Sequence, residues 1–178
     1  MAGALQAIGP VSGAHYNPVV SMAALINGRI EWQACLFYVL SQLLGSIAGA
    51  FIAWCLGGSG LTLPAAMRHS ETKALVMEIL ITSLLVLVFL GATDPERGDA
   101  LKDLAGIAVG LALAVGHWVG IPFSGGSMNP FRTLASAITE SHWDNIWIYF
   151  VGPPVGSALS AVLYRFVFSG AKDGGGGF

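Results

Sequence analysis

The chain has 178 residues, 54% of them hydrophobic and 10% charged, with a mean hydropathy of +0.70. Soluble domains carry about 25% charged residues, so these charges are too few to coat a soluble surface and the chain reads as a membrane protein. The formal net charge of −2 argues against nucleic acid as a partner.

The chain opens on "MAGALQAIG", which is apolar but shorter than the roughly 20 residues needed to cross a hydrocarbon core of about 30 Å. It also lacks the basic start of a signal peptide. A polar phrase follows, "SGAHYNPVVSMAAL" at 12–25. The first spanning helix is expected over 34–56, and Cys35 and Cys55 both lie on it. About 20 residues of helix separate the two by about 30 Å, too far to pair with each other, so packing is their expected role. A polar connection at 57–72 leads to a second span over 74–93, which contains Glu78. The loop 94–103 leads to a third span, 104–123, without charge. A second polar phrase, "SGGSMNPFRTLASA" at 124–137, opens a segment that runs to 142. The fourth span, 146–168, carries only Arg165, near its end. The Gly-rich residues 171–178 read as a flexible tail.

Small residues recur four apart within the spans: Gly45 with Gly49, Gly106 with Gly110, Gly116 with Gly120, and Gly152 with Gly156. Such spacing lets helix backbones approach closely where no hydrophobic effect drives association. A tightly packed bundle is expected.

The two polar phrases align without gaps at an offset of 112, sharing Ser12/Ser124, Gly13/Gly125, Asn17/Asn129, Pro18/Pro130 and Ala23/Ala135. Three spans lie between them, so the second copy enters from the opposite face, the signature of an inverted repeat. Asn followed by Pro is a strong helix start, because Asn caps with its oxygen and Pro at the first position loses no needed donor. The helices after Pro18 and Pro130 have room for about 9 to 11 residues, or about 14 to 17 Å, half a membrane. Two half helices from opposite faces then meet at the midplane with their N-termini together. The preceding segments are expected to be extended, and backbone at membrane depth is tolerated only in protein or along a wet cavity. The expected object is a pore. Its constriction is Asn17, Pro18, Asn129 and Pro130, with each Asn amide donating into the lumen. Carbonyls of Gly13, Ala14, His15 and Tyr16, and of Gly125 to Met128, Ser127 included, accept hydrogen bonds from solute on the approach.

These residues resemble the aquaporin, or major intrinsic protein, family, whose hallmark is a pair of Asn-Pro-Ala motifs on half helices. Here the motifs read "NPV" at 17–19 and "NPFR" at 129–132, and "YFVGPPVGSAL" matches the family's last span. The resemblance implies an aquaporin-like inverted-repeat helical bundle with four full spans and two re-entrant half helices. It implies a single transmembrane channel domain over 1–170, in which 1–33 supply the end of span two and the first half helix, and 124–142 the second re-entrant segment. The family's first span and most of its second are missing, so the chain is expected to be N-terminally truncated and its pore wall incomplete. The narrow filter falls on His117 and Arg132, with Gly126 where a mercury-sensitive Cys often stands. Glu78 falls on the buried Glu that supports the second re-entrant loop. Ala137 and the pair Tyr149 and Phe150 stand where glycerol facilitators tend to carry Asp and a Pro-aliphatic pair. Val19 and Phe131 replace the family's Ala, and Phe131 is expected to tilt its helix or narrow the midplane.

The expected function is passive, osmotically driven water transport that excludes ions and protons. Alternatives are a facilitator of glycerol or another small neutral solute, and a non-conducting short isoform that regulates full-length relatives. Ser124 or Ser127 with His117 would suggest a hydrolase, but no oriented base partner is identifiable, and no metal cluster or cofactor motif appears. Neither enzyme activity nor a cofactor is expected. Water and the lipid bilayer are the expected partners, in a homotetramer of the plasma membrane. Positive charge favours the cytoplasm for the 94–103 loop and the C-terminus: Arg29, Arg97, Lys102, Arg165 and Lys172 lie on that side, and Arg68 and Lys73 on the other.

Overall fold

The computed structural model describes residues 1–58, 70–96 and 104–169. The Gly-rich tail, most of the 57–72 and 94–103 connections, and the basic residues Arg68, Arg97, Lys102 and Lys172 lie outside the described residues. The elements are α1 (Ala2–Ser12), α2 (Pro18–Ile26), α3 (Trp32–Cys55), α4 (Glu71–Ala92), α5 (Ala105–Ser124), α6 (Pro130–Glu140) and α7 (Trp147–Leu163), which a π-helical turn extends over Tyr164–Phe168. Every element among the described residues is helical. The helices α3, α4, α5 and α7 with its extension are each long and apolar enough to cross a membrane. The fold is the expected all-α bundle, with three short helices, α1, α2 and α6, set among four long ones.

The second spanning helix, α4, is the hub. It packs against α5 and α7, and it also touches α2. Its apolar side chains therefore supply the core: Ile81, Leu85, Val86, Phe89 and Leu90 are buried together with Val19, Val20 and Ala23 of α2 and Val109 of α5. At the edge, α3 packs on α2 and α6 and turns Phe37, Leu40, Leu44 and Phe51 outward, where lipid can cover them.

Three of the four glycine pairs carry close helix contacts. A Cβ on Gly156 would stand 2.4 Å from the Ile79 carbonyl oxygen of α4, and one on Gly152 2.8 Å from the Glu78 Cβ. On α5, a Cβ at Gly110 would stand 2.5 Å from the Ala2 Cβ of α1, and one at Gly120 2.6 Å from the Ile81 Cδ1. The fourth pair, Gly45 and Gly49 on α3, meets nothing within 4 Å. Hydroxyls complete the α4–α7 seam: Ser83 Oγ donates to the Gly156 carbonyl (3.1 Å), and Ser160 Oγ to the Ser83 carbonyl (2.8 Å).

The repeat appears in the backbone itself. Left-handed φ occurs at Gly13 (68°), Ala14 (47°) and Tyr16 (51°), and again at Gly125 (82°), Gly126 (64°) and Met128 (53°), each 112 residues on. The segments before the half helices are thus kinked, where extended chain was expected. The reason is geometric: the chain must reverse from one helix into a half helix within five residues, and left-handed residues make that reversal. For non-glycine residues such a conformation costs on the order of 1–3 kcal/mol each, which the surrounding packing must hold down. The correspondence reaches further back than the polar phrase. Pro10 lies inside α1 and Pro122 inside α5, and the amides of Gly13 and Gly125 close the two helices on Gly9 and Ile121. In the repeat, α1 stands where the last turns of α5 stand.

Candidate functional site

Each half helix starts as its sequence dictates. Asn17 and Asn129 are in extended conformation at the N-cap, with Pro18 and Pro130 at the first helical position. The Val19 amide donates to Asn17 Oδ1 (3.2 Å), and the amides of Phe131 and Arg132 donate to Asn129 Oδ1 (3.0 and 3.3 Å). Without those oxygens the first N–H groups of each helix have no partner at membrane depth.

The amide nitrogens do something the sequence did not reveal. Asn17 Nδ2 donates to the Met128 carbonyl (2.7 Å), and Asn129 Nδ2 donates to the Tyr16 carbonyl (3.2 Å). The two halves are stitched together reciprocally. Tyr16 and Met128, expected to offer their carbonyls to solute, offer them to the opposite asparagine. A carboxamide carries two N–H donors, so one N–H of each Asn is used in the stitch and a second is left over from it.

The second re-entrant loop hangs on Glu78, which is fully buried. Its Oε1 accepts from Ser124 Oγ (2.6 Å) and the Ser127 amide (2.8 Å), and its Oε2 accepts from the Met128 amide (2.8 Å). The Ser127 hydroxyl turns to Thr133 Oγ1 (2.5 Å). Met128 is buried, its sulfur 2.5 Å from where a Cβ on Gly116 would be, so that glycine is what admits it.

His117, Arg132 and Gly126 meet. His117 Nδ1 donates to the Leu113 carbonyl one turn back (2.8 Å), which leaves Nε2 as an acceptor, and that atom receives Arg132 Nη1. The same Nη1 lies 3.4 Å from the Gly126 carbonyl. The guanidinium is therefore oriented from two sides, by a neutral imidazole and by loop backbone. A Cβ on Gly126 would stand 3.3 Å from His117 Cα and 3.3 Å from the Ile121 amide nitrogen, against α5.

In the first loop, Gly13 and Ala14 make the left-handed turn, and the His15 ring takes a structural place. Its Nδ1 lies 3.0 Å from Ser21 Oγ, and its ring stacks on Tyr38 at 4.7 Å and meets Phe89 edge-on at 5.5 Å. Val19 is buried, and its carbonyl accepts Ser157 Oγ of α7 (2.6 Å). Phe131 is partly buried, and the Asn129 cap beside it is intact.

One cluster was missed by sequence reasoning. Arg29, just past α2, donates to Thr93 Oγ1 (3.0 Å) and the Leu90 carbonyl (2.9 Å), lies 3.5 Å from Asp94 Oδ2, and sits 5.3 Å over the Tyr164 ring, whose hydroxyl also reaches Asp94. Arg165 donates to the Ile26 carbonyl (2.5 Å) at the end of α2, where a cation complements the helix dipole. The available signal was an Arg just past the first half helix and an Asp at the end of the second span.

Two cavities adjoin the first loop. One, of about 830 Å³, lies between that loop and α3 and is lined by Ser12, His15, Tyr16, Tyr38 and Gln42 among others. The other, of about 640 Å³, runs by Gly9, His15, Ala24, Phe89 and Arg29.

Capped half helices stitched end to end within a spanning bundle define a helical membrane protein of the re-entrant, inverted-repeat class. The chain belongs to the major intrinsic protein family, whose model matches residues 1–164. It is 38% identical over 180 residues to Aquaporin-2 of Bos taurus, covering 95% of this chain and 64% of that one. With Aquaporin-5 of Rattus norvegicus it shares 39% over 168 residues (91% and 63% coverage), and with Aquaporin-4 of Homo sapiens 36% over 173 residues (92% and 52%). The chain thus spans just under two thirds of the length of the first two relatives and about half of the third. Among solved structures, the aquaglyceroporin from Plasmodium falciparum shares the fold with a TM-score of 0.74, at 24% identity, covering 89% of this chain and 74% of that one.

Proposed function

We propose that the chain carries the conducting constriction of a water channel, moving water passively along an osmotic gradient while excluding ions and protons. The observation that carries this reading is the reciprocal stitch, which holds two Asn amides and two helix N-termini at one point. The second N–H of each amide faces a passing water, whose oxygen accepts from both, and the positive helix ends repel cations. His117 and Arg132 form the outer filter, with the Gly126 carbonyl orienting the guanidinium. Carbonyls of Gly13, Ala14, His15, Gly125 and Ser127 mark the approach, and Glu78 holds the second loop. No catalytic residue or cofactor enters this reading. The curated relatives are named aquaporins, which supports water as the solute.

The orientation follows from charge. Arg29 and Arg165 gather with Asp94 at one end of the bundle, and Lys73 stands at the opposite end of α4. The end with Arg29 faces the cytoplasm, with the 94–103 loop and the C-terminus, in a homotetramer of the plasma membrane.

Parallel stopped-flow assays on reconstituted liposomes, one for osmotic shrinkage and one for glycerol uptake, test the solute. Water flux well above that of protein-free liposomes without matching glycerol uptake is expected, and glycerol moving as fast as water would overturn the reading. The groove beside Ser12, His15 and Tyr16 favours a second reading, in which the chain conducts only when a further helix covers that side and otherwise regulates longer relatives. No flux from the chain alone, together with a flux from its mixture with a longer relative that differs from the flux of that relative alone, would select it.

A further inference from the structure

We propose that Tyr38 and Tyr149 are paired positioning residues, each anchoring one re-entrant loop by its first carbonyl. Tyr38 lies on α3, the span that follows the first half helix, and its hydroxyl donates to the Ser12 carbonyl. Tyr149 lies on α7, the span that follows the second half helix, and its hydroxyl donates to the Ser124 carbonyl. Ser12 and Ser124 are equivalent residues of the repeat, each the last of a helix and each one residue before the left-handed glycine. The tyrosines stand 21 residues after Asn17 and 20 after Asn129; a one-residue difference in the connection hides the correspondence from an ungapped alignment.

The anchors act where the chain leaves helical geometry. A helix-terminal carbonyl has no intrahelical partner, and at membrane depth a protein donor must supply one. The tyrosine does so and fixes where the left-handed turn begins. From Ser124 the chain passes within five residues to Gly126, which orients Arg132, and to Asn129. The two anchors differ in surroundings. Tyr149 is fully buried, and Ser124 is held a second time by its own hydroxyl on Glu78. Tyr38 is half-buried and lines the groove of about 830 Å³, where water can replace a lost donor. Removing the hydroxyl therefore disturbs the second loop more than the first.

The test is amide hydrogen exchange on the full chain in nanodiscs, comparing wild type with Tyr149→Phe and Tyr38→Phe, both of which keep the ring and its packing. For Tyr149→Phe, exchange over 125–129 should accelerate about tenfold, as loss of a buried hydrogen bond implies, with 13–17 unchanged. For Tyr38→Phe, the acceleration should fall on 13–17, should be smaller, and should leave 125–129 unchanged. No acceleration in either loop, or the same acceleration in every helix, overturns the proposal, since general destabilisation does not respect the repeat. The link to permeation rests on the water-channel reading: Tyr149→Phe, next to the loop that orients Arg132, should shift the ratio of glycerol to water flux more than Tyr38→Phe does. If the wild type moves no water, that reading fails, and the exchange pattern still decides whether the tyrosines anchor the loops.

Discussion

Each asparagine of the repeated phrase divides its side chain between two partners. The oxygen caps its own helix, and one amide N–H crosses to the opposite loop, so the same residue starts a half helix and joins the halves. His117 works in a similar divided way: its Nδ1 is committed to Leu113, which fixes Nε2 as the acceptor that faces Arg132. His117→Ala removes that acceptor and opens the space beside the guanidinium. Glycerol flux relative to water should rise by about tenfold, the scale on which pocket size discriminates between substrates, and paired liposome assays read it directly. An unchanged ratio would remove His117 from the filter. Glu78 accepts from three buried donors at once. Glu78→Gln offers one acceptor oxygen where there were two and turns an amide N–H toward a donor, leaving a buried group unpaired at a cost of about 1–3 kcal/mol. Thermal melting of the detergent-solubilised protein should show the loss as a lower midpoint.

Among the elements, the seam between α4 and α7 has the least room. With the Ile79 carbonyl 2.4 Å from where a Cβ on Gly156 would be, Gly156→Ala must push the two helix backbones away from each other, and overpacking of this kind costs about 1–3 kcal/mol. Gly45→Ala on α3 meets open space and should be neutral or stabilising by up to about 1 kcal/mol, since Ala is the better helix former. Thermal melting of the two variants side by side separates a glycine that is packed from one that is not; equal midpoints would contradict the packing described. The spacing of small residues marked both pairs as contacts, yet spacing alone does not say whether a partner is present, and only three pairs have one. The half helices were legible because Asn-Pro is a local signal whose chemistry acts within a few residues. Left-handed backbone at Ala14, Tyr16 and Met128 was not, because no glycine marks those positions. Residues of ordinary preference are held there by packing and by cross-links from α3, α4 and α7.

At the scale of the molecule, an odd number of spans between two like phrases implied their inversion, and with it the meeting of two helix N-termini. What sequence could not supply were the side chains that reach across: Ser157 to Val19, Arg29 to Asp94, and the stitch from Asn17 to Met128. Such contacts join residues scores of positions apart, and no local pattern records them. The first half helix is thereby held on α4 and α7, while the second packs chiefly on α3 and is tied to α4 through the loop that Glu78 holds. The central claim is that the stitched asparagines form a conducting constriction. Stopped-flow osmotic shrinkage of liposomes carrying wild type or Asn129→Ala tests it most directly. Shrinkage well above the protein-free rate is expected for wild type, falling to near that rate when the amide, its cap and its stitch are removed. Equal rates for Asn129→Ala and wild type would contradict it.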